Sequence, residues 1–175
     1  MQKYIPKMYK KNIFDVNYEK LKKNGIKCIL FDLDNTLLTV NSNKIDKKIG
    51  NFINKLKKDF SIYVISNNSN KKRLEIVTNT LDIPYIYFAL KPLSFGFKKI
   101  IKKYGYKPNE MCIIGDQIIT DVLGGNRIGI FTILIEPLES KELKITSINR
   151  FLERKIIQKM ENLGKFKKGV FYEWR

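Results

Sequence analysis

The sequence predicts a doubly wound α/β domain built on one parallel sheet. Three observations carry that prediction. Short apolar runs suited to buried strands alternate with segments of helical periodicity. The chain shows no internal repeat and no long linker, and its 175 residues suit one domain with a sizeable core. Polar, chemistry-bearing residues follow directly on the apolar runs, and in an open parallel sheet that is where ligands bind.

Taken in order, residues 1–13 are basic, with Tyr, Ile and Met interleaved, and Pro6 argues against a continuous helix. This stretch reads as a strap packed by its aromatic residues, or as a contact with an anionic membrane. Asp15 can cap a short helix from Val16 to Asn24, closed by Gly25. The first core strand is Lys27 to Phe31. A helix pattern runs from about Ile45 to Lys58, with Ile45, Ile49, Phe52, Ile53 and Leu56 on one face. A strand from Ile62 to Ile65 leads into the small polar turn Ser66–Asn70, then a helix over about 71–81. Tyr85 to Phe88 is the third strand, followed by Lys91-Pro92 and a helix from Ser94 to Tyr104. Met111 to Ile114 leads to Gly115-Asp116, then a helix from about Thr120 that Gly124-Gly125 would loosen. Phe131 to Ile135 is the fifth strand. Thr146 to Leu163 reads as an amphipathic helix with Ile148, Leu152, Ile156 and Met160 on one side. The expected organisation is a basic strap and short helix over 1–26, a core with its C-terminal helix over 27–163, and a basic aromatic tail over 164–175.

Composition removes several chemistries. The chain has no histidine, which excludes Ser-His-Asp, Cys-His and His-bound zinc sites. Cys28 and Cys112 sit in apolar runs and read as small buried hydrophobes. No apolar run approaches the roughly 18 residues of a membrane span. The first residues lack the apolar segment of a signal peptide, so a cytoplasmic protein is expected, with the inner face of the membrane as a place of peripheral contact. The net charge of +17 fits a nucleic-acid or anionic-membrane partner. The 29 lysines against 5 arginines favour compositional bias instead, with general anion affinity as a by-product, since a nucleic-acid site favours Arg for bidentate contacts.

Four groups fall at the carboxyl ends of successive strands: Asp32 with Asp34, Ser66 with Asn67, Lys91, and Asp116. Each alone has a plain reading as an Asx turn, a helix cap, a surface lysine or a turn. Together, on the ligand-binding face of the sheet, they outrun turn chemistry. Two carboxylates at i and i+2 call for something positive between them. The candidates are a metal ion and a phosphate-handling role. A calcium loop needs Gly and Glu where this chain has Leu37 and Asn43. No Gly-rich turn ends in Gly-Lys-Ser/Thr, so a P-loop is excluded too.

At these residues the chain resembles a phosphatase of the haloacid-dehalogenase (HAD) superfamily. Asp32-Leu33-Asp34-Asn35-Thr36 is similar to its first motif, Ser66-Asn67-Asn68 to the second, Lys91-Pro92 to the third, and Gly115-Asp116-Gln117 with Thr120-Asp121 to the fourth. The string from Gly115 to Arg127, and Asn149-Arg150-x-x-Glu153, resemble the subfamily IIIA, YqeG-type branch, related to mitochondrial phosphatidylglycerophosphate phosphatases. The likeness spans all but about the last dozen residues, and no motif residue is missing.

The resemblance implies a HAD-like Rossmannoid core and a Mg²⁺-dependent phosphomonoester hydrolase that forms an aspartyl-phosphate. Asp32 would be the nucleophile. Asp34 would protonate the leaving oxygen and then deprotonate water. Mg²⁺ would take the Asp32 carboxylate, the Asp34 backbone carbonyl and Asp116. Thr36 and Asp121 would stand behind them, Asp121 as a ligand through water or simply as a charge at a helix N-terminus. Lys91 would neutralise the nucleophile and the phosphoryl group, and Ser66 with the Asn67 backbone N–H would hold phosphoryl oxygens. Thr36–Ile45 and Ala89–Ser94 are too short for the cap domain usual in the superfamily. The single domain is therefore expected to be capless and its site open, which suits a large substrate such as phosphatidylglycerophosphate. Arg127, Arg150 and Arg154 could read a second phosphate, or be solvated helix charges. The competing expectations are a phosphatase of nucleic-acid ends, nucleotides or phosphoproteins, and an RNA- or ribosome-associated binding protein that retains the fold.

Overall fold

The computed structural model describes residues 1–40, 42–139 and 146–174, without the side chains of 146–150. The strands are β1 (Met8–Lys10), β2 (Cys28–Phe31), β3 (Ser61–Ile65), β4 (Tyr85–Ile86), β5 (Met111–Gly115) and β6 (Phe131–Ile135). They form one six-stranded sheet in the order β1-β6-β5-β2-β3-β4. Every pairing is parallel. The helices are α1 (Tyr18–Lys23), α2 (Lys47–Leu56), α3 (Lys71–Leu81), α4 (Phe95–Tyr104), α5 (Leu123–Arg127) and α6 (Thr146–Asn162). This is the predicted α/β fold. Chain order runs outward from β2 through β3 to β4, then returns to β5 on its other side. The crevice between β2 and β5 is thus the switch point at which such sheets bind ligands.

Strand β2 is buried on both faces, as its unbroken Cys28-Ile29-Leu30-Phe31 run requires. Ile29 and Phe31 face Leu21, Ile53, Leu56, Leu74 and Val77, so α1, α2 and α3 cover one side. Cys28 and Leu30 face Phe97 and Ile100 of α4 on the other. Gly125 belongs to that second side. A Cβ there would lie 2.6 Å from Thr132 and 2.8 Å from Ile113, so the glycine lets α5 press against β5 and β6 rather than loosening the helix.

Several boundaries differ from the sequence expectation. Helix α1 starts later, because the Asn17 side chain, not Asp15, caps it by accepting from Lys20 N at 2.9 Å. Strand β4 stops at Ile86 because the chain turns at Phe88, whose φ is 47°. The expected helix after Asp116 begins as a wide π turn, Ile118–Val122. On α6, Glu153 and Met160 are buried while Leu152 is 46% exposed, so the inward face is rotated from the expected stripe. The rotation delivers Glu153 to the backbone N–H of Ile118, which it accepts.

The largest addition is β1. Residues 8–10 pair with β6 in the register Met8↔Ile133 to Lys10↔Ile135. The C-terminal tail closes over them. Tyr9 and Tyr172 exchange backbone hydrogen bonds of 3.1 and 3.0 Å, and Tyr9, Met160 and Phe166 share a small core with Leu134. No helix is long and apolar enough to cross a membrane among the described residues.

Candidate active site

Strand β2 ends at Phe31, and the next residue, Asp32, is fixed by its backbone N–H donating to Ile114 O at 2.9 Å. Strand β5 ends at Gly115, which places Asp116 across the crevice. The wide turn after it carries Asp121 back under the strand end. Its Oδ2 accepts from Gln117 N at 3.2 Å. A Cβ on Gly115 would sit 2.3 Å from that oxygen, so residue 115 must lack one for Asp121 to enter. Asp32, Asp116 and Asp121 are then 7%, 4% and 1% exposed. Their ligand oxygens lie within 4.8 Å of one another.

Lys91 enters this cluster from the loop after β4. Its Nζ donates to Asp32 Oδ1 at 2.5 Å and to Asp121 Oδ1 at 2.6 Å. The backbone of Lys91 is held at both polar atoms by one amide: Asn67 Oδ1 accepts from Lys91 N at 2.7 Å, and Asn67 Nδ2 donates to Lys91 O at 2.8 Å. Ser66, 1% exposed, follows β3 and accepts from Asn68 N at 3.1 Å. Burial pushes the Asp32 carboxyl well above the ordinary carboxylate range, with Asp121 and Asp116 adding to the shift and the Lys91 ammonium opposing it. Burial also opposes the charge on Lys91, but Asp121 and Asp32 outweigh it and hold the ammonium above the usual lysine range.

Lys91 is shared between Asp32 and Asp121, and Asp116 lies against the same pair. The donor set is all oxygen, close and dry, which is the chemistry of a hard divalent cation. On the loop after β2, Asn35 Oδ1 and Thr36 Oγ1 are also buried with no hydrogen-bond partner among the described residues. Asp34 points elsewhere. Its carboxylate lies 2.6 Å from Arg73 NH1 and accepts from Asn68 Nδ2 at 3.2 Å. Arg73 is itself tied down, donating to Ser42 O at 2.8 Å and Thr39 O at 3.1 Å. Any part Asp34 takes in holding a cation would therefore fall to its backbone carbonyl.

The structure brings the predicted Asp32, Lys91, Asp116 and Asp121 together, with Ser66 and Asn67 beside them. Asp121 is a full member of the acidic cluster rather than an outlying charge. The sequence did not reveal Arg73, whose partner Asp34 is remote in sequence and which no local pattern marks. It did not give Glu153 a role either, although its string was noticed. Of the three other internal arginines, Arg154 lines a cavity of about 200 Å³ that also borders Asp116. Arg127 reaches Pro92 O at 3.4 Å. The side chain of Arg150 lies outside the described residues.

The family model described as mitochondrial PGP phosphatase matches residues 1–139. The chain belongs to that family. The PGP phosphatase match takes in Asp32, Asp34, Ser66, Asn67, Arg73, Lys91, Asp116 and Asp121. A protein of Bacillus subtilis (strain 168) described as "Probable phosphatase YqeG" is 36% identical over 161 residues, covering 92% of this chain and 94% of that one. The Arabidopsis thaliana protein described as "Phosphatidylglycerophosphate phosphatase 1, chloroplastic/mitochondrial" is 28% identical over 147 residues. That alignment covers 79% of this chain and 42% of the plant protein. A solved HAD phosphatase from Thermococcus onnurineus superposes with a TM-score of 0.56 at 15% identity, over 73% of this chain and 98% of its own. This PGP phosphatase family member is a YqeG-type phosphatase, and it shares the fold of that solved HAD phosphatase, as its motifs implied.

Proposed function

We propose that this phosphatase is a Mg²⁺-dependent phosphomonoesterase that attacks through Asp32, and that its substrate is phosphatidylglycerophosphate or a lipid phosphomonoester like it. The observation that carries the mechanism is Asp32 itself. It is a buried carboxylate at the end of the central strand, 2.5 Å from a lysine ammonium and grouped with Asp116 and Asp121. Asp32, Asp116 and the Asp34 backbone carbonyl would hold Mg²⁺, whose positive charge would let an anionic phosphate approach a carboxylate. An Asp32 oxygen forms the bond to phosphorus as the bond to the leaving oxygen breaks. Asp34 gives that oxygen its proton. Lys91 balances charge on the nucleophile and the transferring group, and Ser66 with the Asn67 backbone N–H holds phosphoryl oxygens. Asp34 then takes a proton from water. The water oxygen bonds to phosphorus and releases Asp32 with inorganic phosphate. Arg73 and Asn68 set where the Asp34 carboxylate lies for both transfers.

The lipid substrate is supported by the family description, by the name of the Arabidopsis thaliana relative and by the absence of any helix or strand between Phe31 and Lys47 among the described residues. The test is phosphate release from phosphatidylglycerophosphate in detergent micelles, with a nucleotide and a phosphopeptide as parallel substrates. Asp32→Asn is expected to lower turnover by at least about 10⁴-fold with an unchanged circular dichroism spectrum. Chelation should abolish wild-type activity and Mg²⁺ should restore it. Undiminished turnover in Asp32→Asn would overturn the mechanism. Preference for the nucleotide or the peptide would overturn the substrate.

A further inference from the structure

Between β4 and α4 the chain exposes large apolar side chains in close succession. Tyr87, Phe88, Leu90, Leu93 and Phe95 are 45%, 52%, 38%, 58% and 61% exposed, five within nine positions. The segment is anchored from within. Ala89 is fully buried, and Lys91 reaches the acidic cluster. Phe88 and Leu90 sit between and outside these anchors, each with positive φ (47° and 57°). Bulky residues rarely adopt that conformation, and strain of this kind gathers where structure serves function. Here it holds Ala89 and Lys91 inward and leaves Phe88 and Leu90 in water. The turn is further closed by Leu93 N donating to Leu90 O at 2.8 Å.

Three further observations say what covers this patch. First, the sheet is parallel throughout, so the loop rises from the same strand ends as Asp32, Ser66 and Asp116. Second, β4 is the outermost strand, so no further strand of this sheet flanks it. Third, the surroundings are basic. Lys98 and Lys99 are exposed on the helix that begins at Phe95, and Lys71, paired with Glu75 at 3.3 Å, has its Nζ 5.9 Å from the Tyr87 ring centroid. From Ile83 to Asn109 the chain has six lysines and no Asp or Glu. Exposed apolar side chains flanked by lysines, with three aromatic residues among them, match the boundary of an anionic bilayer. The N-terminal stretch is a weaker candidate for that contact, since Met8 and Tyr9 are spent on the sheet and its edge.

We propose that residues 87–95 form a docking tip that inserts into the surface of an anionic lipid bilayer and brings the Asp32 site to the headgroups. What is delivered there rests on the lipid-phosphate reading above, but the docking itself can be measured without turnover. The probe is flotation with vesicles of phosphatidylglycerol and phosphatidylcholine in equal parts, against vesicles of phosphatidylcholine alone. The wild type is expected to float with the anionic vesicles and to be released by salt. The triple variant Phe88→Ser, Leu93→Ser, Phe95→Ser should lose at least about tenfold in partitioning and keep wild-type turnover of p-nitrophenyl phosphate. A Leu93→Cys variant gives an independent reading. Cys28 and Cys112 are buried, so a nitroxide label goes to position 93, and it should become shielded from aqueous relaxants on adding anionic vesicles. Equal partitioning of wild type and triple variant would overturn the proposal. So would a label shielded without vesicles in a chain of doubled mass, which would make the patch a contact between two copies. If docking fails while Asp32-dependent release from micellar lipid persists, the function stands and the tip falls. If docking persists and Asp32 proves dispensable, the reverse holds.

Discussion

At the β1 edge of the sheet, Tyr9 is 1% exposed, with its ring 5.1 Å from Phe166 and 4.9 Å from Phe171. The tail pairs with the outer side of the strand, and Trp174 lies 4.2 Å from Phe131. At the β4 edge the strand is two residues long, and Tyr87, Phe88 and Phe95 face water. One chain, of one composition, thus buries Tyr9 and Phe166 at one edge under its own terminus, with Phe171 left 42% exposed, and leaves Tyr87, Phe88 and Phe95 out at the other. An unprotected edge invites association, and short edge strands or covering segments are the usual remedies. The β1 edge uses a cover. The β4 edge uses a short strand and then projects the apolar side chains anyway. Basic and aromatic composition alone therefore does not explain the exposed patch, because Tyr9 and Phe166 at the other edge are buried.

The comparison breaks most visibly at Tyr9. Truncation by Tyr9→Ala removes the ring on which Phe166 and Phe171 lean, and takes from Gly169 N the phenolic acceptor it reaches at 3.1 Å. The expected cost is about 3–5 kcal/mol, seen as a fall in melting temperature on the order of 10 °C. An unchanged melt would mean that the tail does not close this edge.

A smaller effect is expected at the anchor of the open edge. Asn67→Ala removes both hydrogen bonds that hold the backbone of Lys91. The expected loss is about 1–3 kcal/mol, with faster hydrogen exchange at the amides of residues 87–93 and lower turnover as Lys91 loses its fixed position. Unaltered exchange there would show that Ala89 packing alone holds the tip.

The parts of this picture that were legible in sequence are those built from local pattern. Continuous apolar runs marked β2, β3, β5 and β6, and the polar residues at their ends located Asp32, Ser66 and Asp116 on one face. The unread parts depend on partners far away along the chain. Strand β1 is three residues long, with Lys10 at its end, and exists because β6 offers it a backbone ladder. Arg73 has meaning only once Asp34 and the loop carbonyls of Thr39 and Ser42 are folded against it. Asp121 joins the acidic cluster through a π turn and a missing Cβ at Gly115, neither of which follows from helical periodicity. The exposure of Tyr87 and Phe88 was hidden for the opposite reason. A Tyr85–Phe88 run of apolar residues reads as a buried strand, and only the positive φ at Phe88 turns it outward.

The smallest effect is the one that separates the two edges most sharply. The triple variant Phe88→Ser, Leu93→Ser, Phe95→Ser removes three large apolar side chains, as many as the Tyr9, Phe166 and Phe171 cluster contains. Because each of these side chains is more than half exposed, less burial is lost than at Tyr9, and Ser at position 88 tolerates its backbone conformation no worse than Phe. The melt is expected to shift by no more than about 0.5 kcal/mol per substitution, against several for the single change at Tyr9. A large loss would mean that the tip packs against the protein in solution, and the β4 edge would then be a second closed edge rather than a surface held open for a partner.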